Sequence, residues 1–325
     1  MKTTTLTTQK TNTKLYELID YYEVCNRCES KSPKTISWYT DNLNQFTDYL
    51  KTHKLPDSID AIDIKVLREY VLYLLKRNKF RGKSNNGNGP GTLSPQSVHG
   101  HVRTLKAFFN WLFNEELIDK NPAKQLKPPK VPKTLVNILS DKEIVTIMNS
   151  FSRSDPRDMR NQTIFMLLID TGIRIGEAIG LKLDDLYLND GYIKVFGKGQ
   201  RERIVPIGNN VQKAIHRYLF RFRQEPAYAQ ITNVFISRLG NQMSDNAMKL
   251  MIRRLAQRTG VKRLHAHLCR HTFATKFLSN GGDIFTLQKI LGHSTLEMVR
   301  RYSNLNSDHV RAQHQRFSPM DRLRA

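Results

Sequence analysis

The sequence has little cysteine, few acidic residues for its length and no long hydrophobic run. Its three cysteines, Cys25, Cys28 and Cys269, are too few and too odd in number for a disulfide framework, and they suit a reducing compartment. Cys25 and Cys28 form a lone CxxC with no second pair and no nearby histidine, so two half-buried helix cysteines are a better reading than a zinc site. No apolar stretch approaches the ~20 residues that cross a bilayer. Residues 1–13 are threonine-rich and lack the apolar segment of a secretory signal, so neither membrane insertion nor export is expected and a cytoplasmic location follows.

The scarce sign of charge is the negative one: 29 Asp and Glu stand against 52 Lys and Arg, a formal net charge of +23. Excess cation of this size repels itself in a compact chain, so a polyanionic partner, nucleic acid first, is the economical explanation. A membrane surface would favour a polybasic block or a basic amphipathic helix, whereas here the charge is spread along the chain. The 39% hydrophobic content is globular, and 325 residues exceed one typical hydrophobic core, so two domains are expected.

The first half reads as four helices after a loose tail over residues 1–13. A helical pattern runs over about 15–28. Ser32-Pro33 opens a second helix carrying Ile36, Tyr39, Leu43, Phe46 and Leu50, and a third spans about 63–79. Residues 81–91, rich in Gly and Asn, read as a mobile surface loop. Ser94-Pro95 opens a fourth helix with Val98, Val102, Leu105, Phe108, Phe109 and Leu112 on its apolar side and His99, His101, Arg103 and Lys106 on an exposed face. That face is either solvated surface or a face laid on DNA backbone. A helical domain over 14–119 gives way to a Pro/Lys-rich, semi-rigid linker over 120–137, whose Lys127, Lys130 and Lys133 are placed to touch phosphates.

The second half, 138–306, mixes periods. Residues 139–143 form a helix start, and 160–170 form a strongly apolar helix ending at Thr171-Gly172. Arg174 follows among aliphatics, either as a functional cation or as the i,i+3 partner of Glu177. Alternation over 186–188, 192–196 and 203–207, broken by Asn189-Asp190-Gly191 and Gly197-Lys198-Gly199-Gln200, predicts a small three-stranded antiparallel sheet with Lys198 at a hairpin tip and Arg201 beside it. Helices then resume over 211–223, 244–259, the stretch around His267 and Arg270, 285–291 and 296–304. In that central stretch Phe273, Ala274, Phe277 and Leu278 make one apolar stripe with Arg270 on the same side, and His267 sits one turn earlier. A guanidinium facing a core needs an acceptor: a carbonyl or a carboxylate in the bland case, a phosphate anion in the functional one. The tail, 307–325, is basic.

Read in order, Thr171-Gly172-Ile173-Arg174-Ile175-Gly176-Glu177, Gly197-Lys198-Gly199, His267-Leu268-Cys269-Arg270-His271-Thr272-Phe273-Ala274-Thr275 and Leu291-Gly292-His293-Ser294 leading to Tyr302 make this sequence resemble the tyrosine recombinases, the phage-integrase and Xer-like family. Cys269 departs from the usual Leu or Phe at a packing position, and 81–91 looks like an insertion. No arm-binding domain is evident before Leu15. The resemblance implies a mainly α fold with a small antiparallel β-sheet in the second domain, the two domains forming a C-shaped DNA clamp of helical core-binding and catalytic domains. It implies Arg174, Lys198, His267, Arg270, His293 and the nucleophile Tyr302 as catalytic residues, with Glu177 orienting Arg174 or His267. It further implies inverted-repeat sites in double-stranded DNA, a monomer in solution, a homotetramer on synapsed DNA, an accessory directionality factor, and a nucleoid-associated location. Whether Tyr302 acts in cis or in trans stays open.

The chemistry fits these residue types. A tyrosine hydroxyl has a pKa near ~10 and attacks poorly without a base. Paired guanidinium donors suit the charge that builds on the non-bridging oxygens of a phosphodiester, and Lys198 is a natural acid for the leaving 5′-oxygen. With no Asp/Glu cluster of the two-metal kind, neither a metal nor any other cofactor is expected. A basic DNA-binding protein without chemistry would account for the charge alone, and a type IB topoisomerase would share the pocket.

Overall fold

The computed structural model describes residues 13–77, 92–131, 137–197, 202–293, 295–300, 302, 314–316 and 318. The chain divides into two compact units, residues 1–133 and 134–325.

The first unit is built from α1 (Leu15–Cys28), α2 (Pro33–Thr52), α3 (Ile64–Lys76) and α4 (Pro95–Asn114). Ser32, Asp63 and Ser94 begin the last three, each side chain accepting a main-chain N–H of the first turn, from Thr35, Val66 and Ser97. Pro33 and Pro95 follow at the first helical position, where a missing N–H costs nothing. The apolar stripes meet in one core of Leu43, Phe46, Leu50, Leu67, Tyr70, Leu74, Phe108 and Leu112. Ala123 and Leu126 join this core, and Lys106 Nζ donates to the carbonyls of Lys124 and Leu126, both at 3.2 Å. Cys25 is half-buried, whereas Cys28, expected to match it, is exposed because it closes the last turn of α1. The loop expected over 81–91 lies outside the described residues.

The second unit begins with α5 (Asp141–Asn149), closed by a capping box between Ser140 and Glu143. α6 (Pro156–Thr171) starts four residues before the apolar run suggested, because Asp155, just before Pro156, accepts from the N–H groups of Arg157 and Asp158. After α7 (Ile175–Gly180) come β1 (Leu186–Tyr187), β2 (Tyr192–Phe196) and β3 (Glu202–Pro206), antiparallel in the order β1-β2-β3 as expected, with Val195 opposite Arg203. α8 (Asn209–Arg221), α9 (Asp245–Thr259), α10 (Ala266–Ser279), α11 (Ile284–Leu291) and the short α12 (Glu297–Arg300) complete it. The main core gathers Ile164, Leu168, Ile193, Val205, Ile215, Phe235 and Leu268, and a smaller cluster of Ala274, Leu278, Leu287, Leu291 and Val299 lies at the far end of α10.

Gly172 caps α6 in the left-handed region, φ +62°, and a Cβ there would stand 2.5 Å from Phe273 Cδ1 and 2.8 Å from Leu291 Cδ2. Gly172→Ala therefore combines a disfavoured backbone with overpacking and is expected to destabilise the protein by roughly 2–5 kcal/mol. Urea denaturation of the two chains measures the difference.

Candidate active site

Three segments converge in the second unit: the turn after α6, the start of α10 and the end of α11. Arg270, on the second turn of α10, is 5% exposed. Its guanidinium donates to Gly172 O at 2.7 Å and Leu291 O at 2.8 Å, and it meets His293 Nε2 at 2.9 Å. Arginine only donates, so Nε2 accepts and His293 carries its ring hydrogen on Nδ1. Burial, reinforced by the charge of Arg174, pulls the Arg270 pKa down to about 10, which leaves it cationic at neutral pH. The carbonyl reading of Arg270 holds, and the same bonds fix the direction of the charge.

Arg174 differs from the expectation of an arginine among aliphatics. It stands at the N-cap of α7 in extended conformation, so its side chain leaves the line of Ile173 and is 41% exposed. Glu177 holds it. That carboxylate, 4% exposed, accepts four bonds: from Arg174 N and NH1 at 2.8 and 2.9 Å, and from Arg203 NH1 and NH2, both at 2.8 Å. Burial alone would raise the Glu177 pKa, but the bonds from Arg203 and Arg174 outweigh it and hold the carboxyl below its usual range. Glu177 thus orients Arg174, one of the two partners expected of it. Arg203, anchored also to Ile290 O at 2.7 Å, was not foreseen.

His267 is exposed, one turn before Arg270, and its pKa is lowered by partial desolvation and by the charges of His265, Arg270 and Arg174. A neutral imidazole beside two guanidiniums suits proton handling at a phosphate. Tyr302 is 4% exposed and packs its ring into the cluster of Ala274, Leu278, Leu287, Leu291 and Val299. Its hydroxyl lies 2.9 Å from His271 Nδ1. His271 directly follows Arg270 on α10, so the phenol stands beside the residue next to that guanidinium. The described residues Arg174, Glu177, His267, Arg270, His293 and Tyr302 thus share one region, with Arg203 and His271 added. Lys198 and Arg201 lie outside the described residues.

The first unit carries the other candidates. His101 is a correction: expected on the exposed face of α4, it is buried, 3.4 Å from Tyr70 Oη, and burial with the charge of Arg77 lowers its pKa to about 4. It packs rather than reaching a phosphate. Lys106 is half-buried on the carbonyls already named, and His99 is half-buried. Arg103 is exposed, its guanidinium carbon 5.6 Å from the ring centroid of Trp38, which lies against Gly100. Lys127 and Lys130 are exposed, and Lys133 lies outside the described residues. Among the described residues no helix is long and apolar enough to cross a membrane, and no group of three or more His, Cys, Asp or Glu could hold a metal ion.

The chain is similar to known proteins in sequence and in fold. The phage integrase family model matches residues 137–309, and a phage integrase SAM-like domain matches 16–128. The tyrosine recombinase XerD of Staphylococcus aureus is 29% identical over 290 residues, covering 89% of this chain and 93% of that one. XerD of Listeria innocua is 26% identical over 291 residues with the same coverage. In fold, the chain is similar to the Tn1549 transposon integrase in complex with transposon right end DNA (TM-score 0.74, 20% identity, 94% of this chain and 100% of that one). It is also similar to a lambda integrase dimer bound to a core site (TM-score 0.67, 18% identity, 88% and 97%). With a match over more than half of its length, the chain belongs to the phage integrase family, the tyrosine recombinases.

Proposed function

We propose that this chain is a site-specific DNA recombinase that breaks and rejoins strands through a 3′-phosphotyrosine intermediate and a Holliday junction. The observation that carries the reading is the grouping of Tyr302 with Arg270, His293, Arg174 and His267. Arg174 and Arg270 bring charge to the non-bridging oxygens of the scissile diester without reorganisation, since Glu177 and the Gly172 and Leu291 carbonyls already fix them. Tyr302 attacks phosphorus, Lys198 protonates the departing 5′-oxygen, and the bond energy is kept in the phosphotyrosine, so neither metal nor ATP takes part.

The partner is double-stranded DNA with inverted-repeat sites, bound by a core-binding domain (14–119) and a catalytic domain (138–306) joined by a linker. Four copies assemble on two synapsed sites, from a monomer in solution and with an accessory directionality factor, in the cytoplasm on the nucleoid. An apolar cleft of about 620 Å³ lined by Met148, Phe165, Ile169, Phe273 and Phe277 offers a seat for the apolar residues of a neighbour's tail, 307–325. The strong basicity and the insert at 81–91 favour integration or transposition of a mobile element; likeness to proteins named XerD favours dimer resolution as the alternative.

The test uses duplexes selected by the full chain from a random pool and then nicked at each position of the recovered motif. In EDTA, a covalent protein–DNA band whose linked peptide contains Tyr302 is the expected product. Tight binding without any such band would instead mean a DNA-binding protein without chemistry, and relaxation of any supercoiled plasmid would point to a topoisomerase.

A further inference from the structure

The Tyr302 hydroxyl is 2.9 Å from His271 Nδ1, and the two rings lie 5.5 Å apart between centroids at 50°. Ring packing among Ala274, Leu287, Leu291 and Val299 keeps the hydroxyl largely out of bulk water. An ordinary phenol is ionised to about a thousandth at neutral pH. Shielded from water, its attack depends on a base within contact distance. His271 follows Arg270 directly on α10, so one helical turn carries both the cation for the phosphate and the imidazole at the phenol. His267, a turn earlier, is exposed and feels the charges of His265, Arg270 and Arg174 instead.

We propose that His271 is the proton acceptor for Tyr302, holding the hydroxyl at rest and taking its proton as the oxygen attacks. This rests on Tyr302 being the nucleophile. Accepting at Nδ1 requires the neutral tautomer with hydrogen on Nε2. The phenolic O–H bond breaks toward Nδ1 and leaves its electron pair on oxygen. That oxygen forms the O–P bond, the P–O5′ bond breaks with its pair on O5′, and O5′ takes a proton from the acid, Lys198. On rejoining, the 5′-hydroxyl attacks, its proton returns to the lysine, and imidazolium Nδ1 gives its proton back to the departing phenolate. Histidine provides both directions; an amide at the same place could hold the hydroxyl but could not carry the proton.

The test follows formation of the covalent adduct on the nicked duplexes described above, in full-length His271→Ala, His271→Asn and Lys198→Ala chains. A second set of substrates carries sulfur in place of the bridging 5′-oxygen, a leaving group that needs no proton. Both His271 variants are expected to form adduct about 10²–10⁴-fold more slowly, to bind intact duplex within about threefold of the parent, and to stay slow on sulfur. Lys198→Ala is expected to recover on sulfur. Parental rates in His271→Asn would show that the contact only positions the hydroxyl, recovery of His271→Ala on sulfur would move the residue to the leaving-group side, and duplex binding lost in step with rate would make it structural; each overturns the proposal. If the parent chain forms no adduct on any nicked duplex, the recombinase reading itself falls, and this assignment with it.

Discussion

Tyr302→Phe is expected to form no covalent adduct with nicked duplexes above background, while its affinity for intact duplex stays within about threefold of the parent. The substitution removes one oxygen from a side chain whose ring is held by Ala274, Leu278, Leu287, Leu291 and Val299, so the packing is kept. What is lost is the proposed nucleophile and its contact with His271. Removing an attacking group from a cooperating set costs on the order of 10⁶-fold in rate elsewhere, because the remaining residues have nothing to assist. Stability should fall by only about 1 kcal/mol, the usual net worth of one hydrogen bond. Gel separation under denaturing conditions and a filter-binding isotherm separate the two effects; an adduct in Tyr302→Phe would mean that another residue attacks.

Glu177→Ala should be the most damaging single change to stability within the site. It withdraws the carboxylate from Arg203, whose side chain is 12% exposed, and from Arg174, and removes the acceptor for the Arg174 N–H. Breaking a buried ion pair by deleting one member costs about 3–5 kcal/mol, chiefly because the remaining charge is left without compensation. Arg174, no longer held, should lose its aim, and adduct formation should drop by about 10²-fold even where the protein is folded. Glu177→Gln keeps the volume and isolates the charge. The folded-state pKa of Glu177 lies below its unfolded value, so its contribution is fully present above pH ~4.3 and is lost as pH falls through the folded-state value. The difference in urea midpoint between the parent and Glu177→Gln should therefore be widest near neutral pH and close on acidification. An unchanged difference across that range would show that packing, not charge, holds the pair.

The helical frame was legible because its signals are local. Ser32-Pro33, Ser94-Pro95 and the Ser140/Glu143 box announce helix starts within four residues, and the strand alternation of 192–196 is bounded by Gly191 and Gly197. The site was legible where a residue sits inside a recognisable string, as Arg270 does. Arg203 was hidden because its partner Glu177 lies 26 residues away and meets it only once the β2–β3 hairpin has folded. His271 was passed over beside Arg270, since nothing local shows that the chain returns to it at Tyr302. His101 had a signal that was missed: it lies three residues after Val98 and four before Leu105, both buried, which places it on the apolar stripe of α4. Arg174 was misjudged in the other direction, because a residue at an N-cap does not share the burial of the aliphatics beside it.

The cations that fasten main chain alter how the protein's charge should be counted. Lys106 is committed to the carbonyls of Lys124 and Leu126, Arg160 to Ile236, Arg223 to Asn233 and Val234, and Arg203 to a buried carboxylate. Held away from the surface, these groups are expected to displace less condensed sodium or potassium from a duplex than free surface cations do. The steepness with which affinity falls as ionic strength rises is thus set by the lysines and arginines left at the surface, and it is shallower than a formal +23 would suggest.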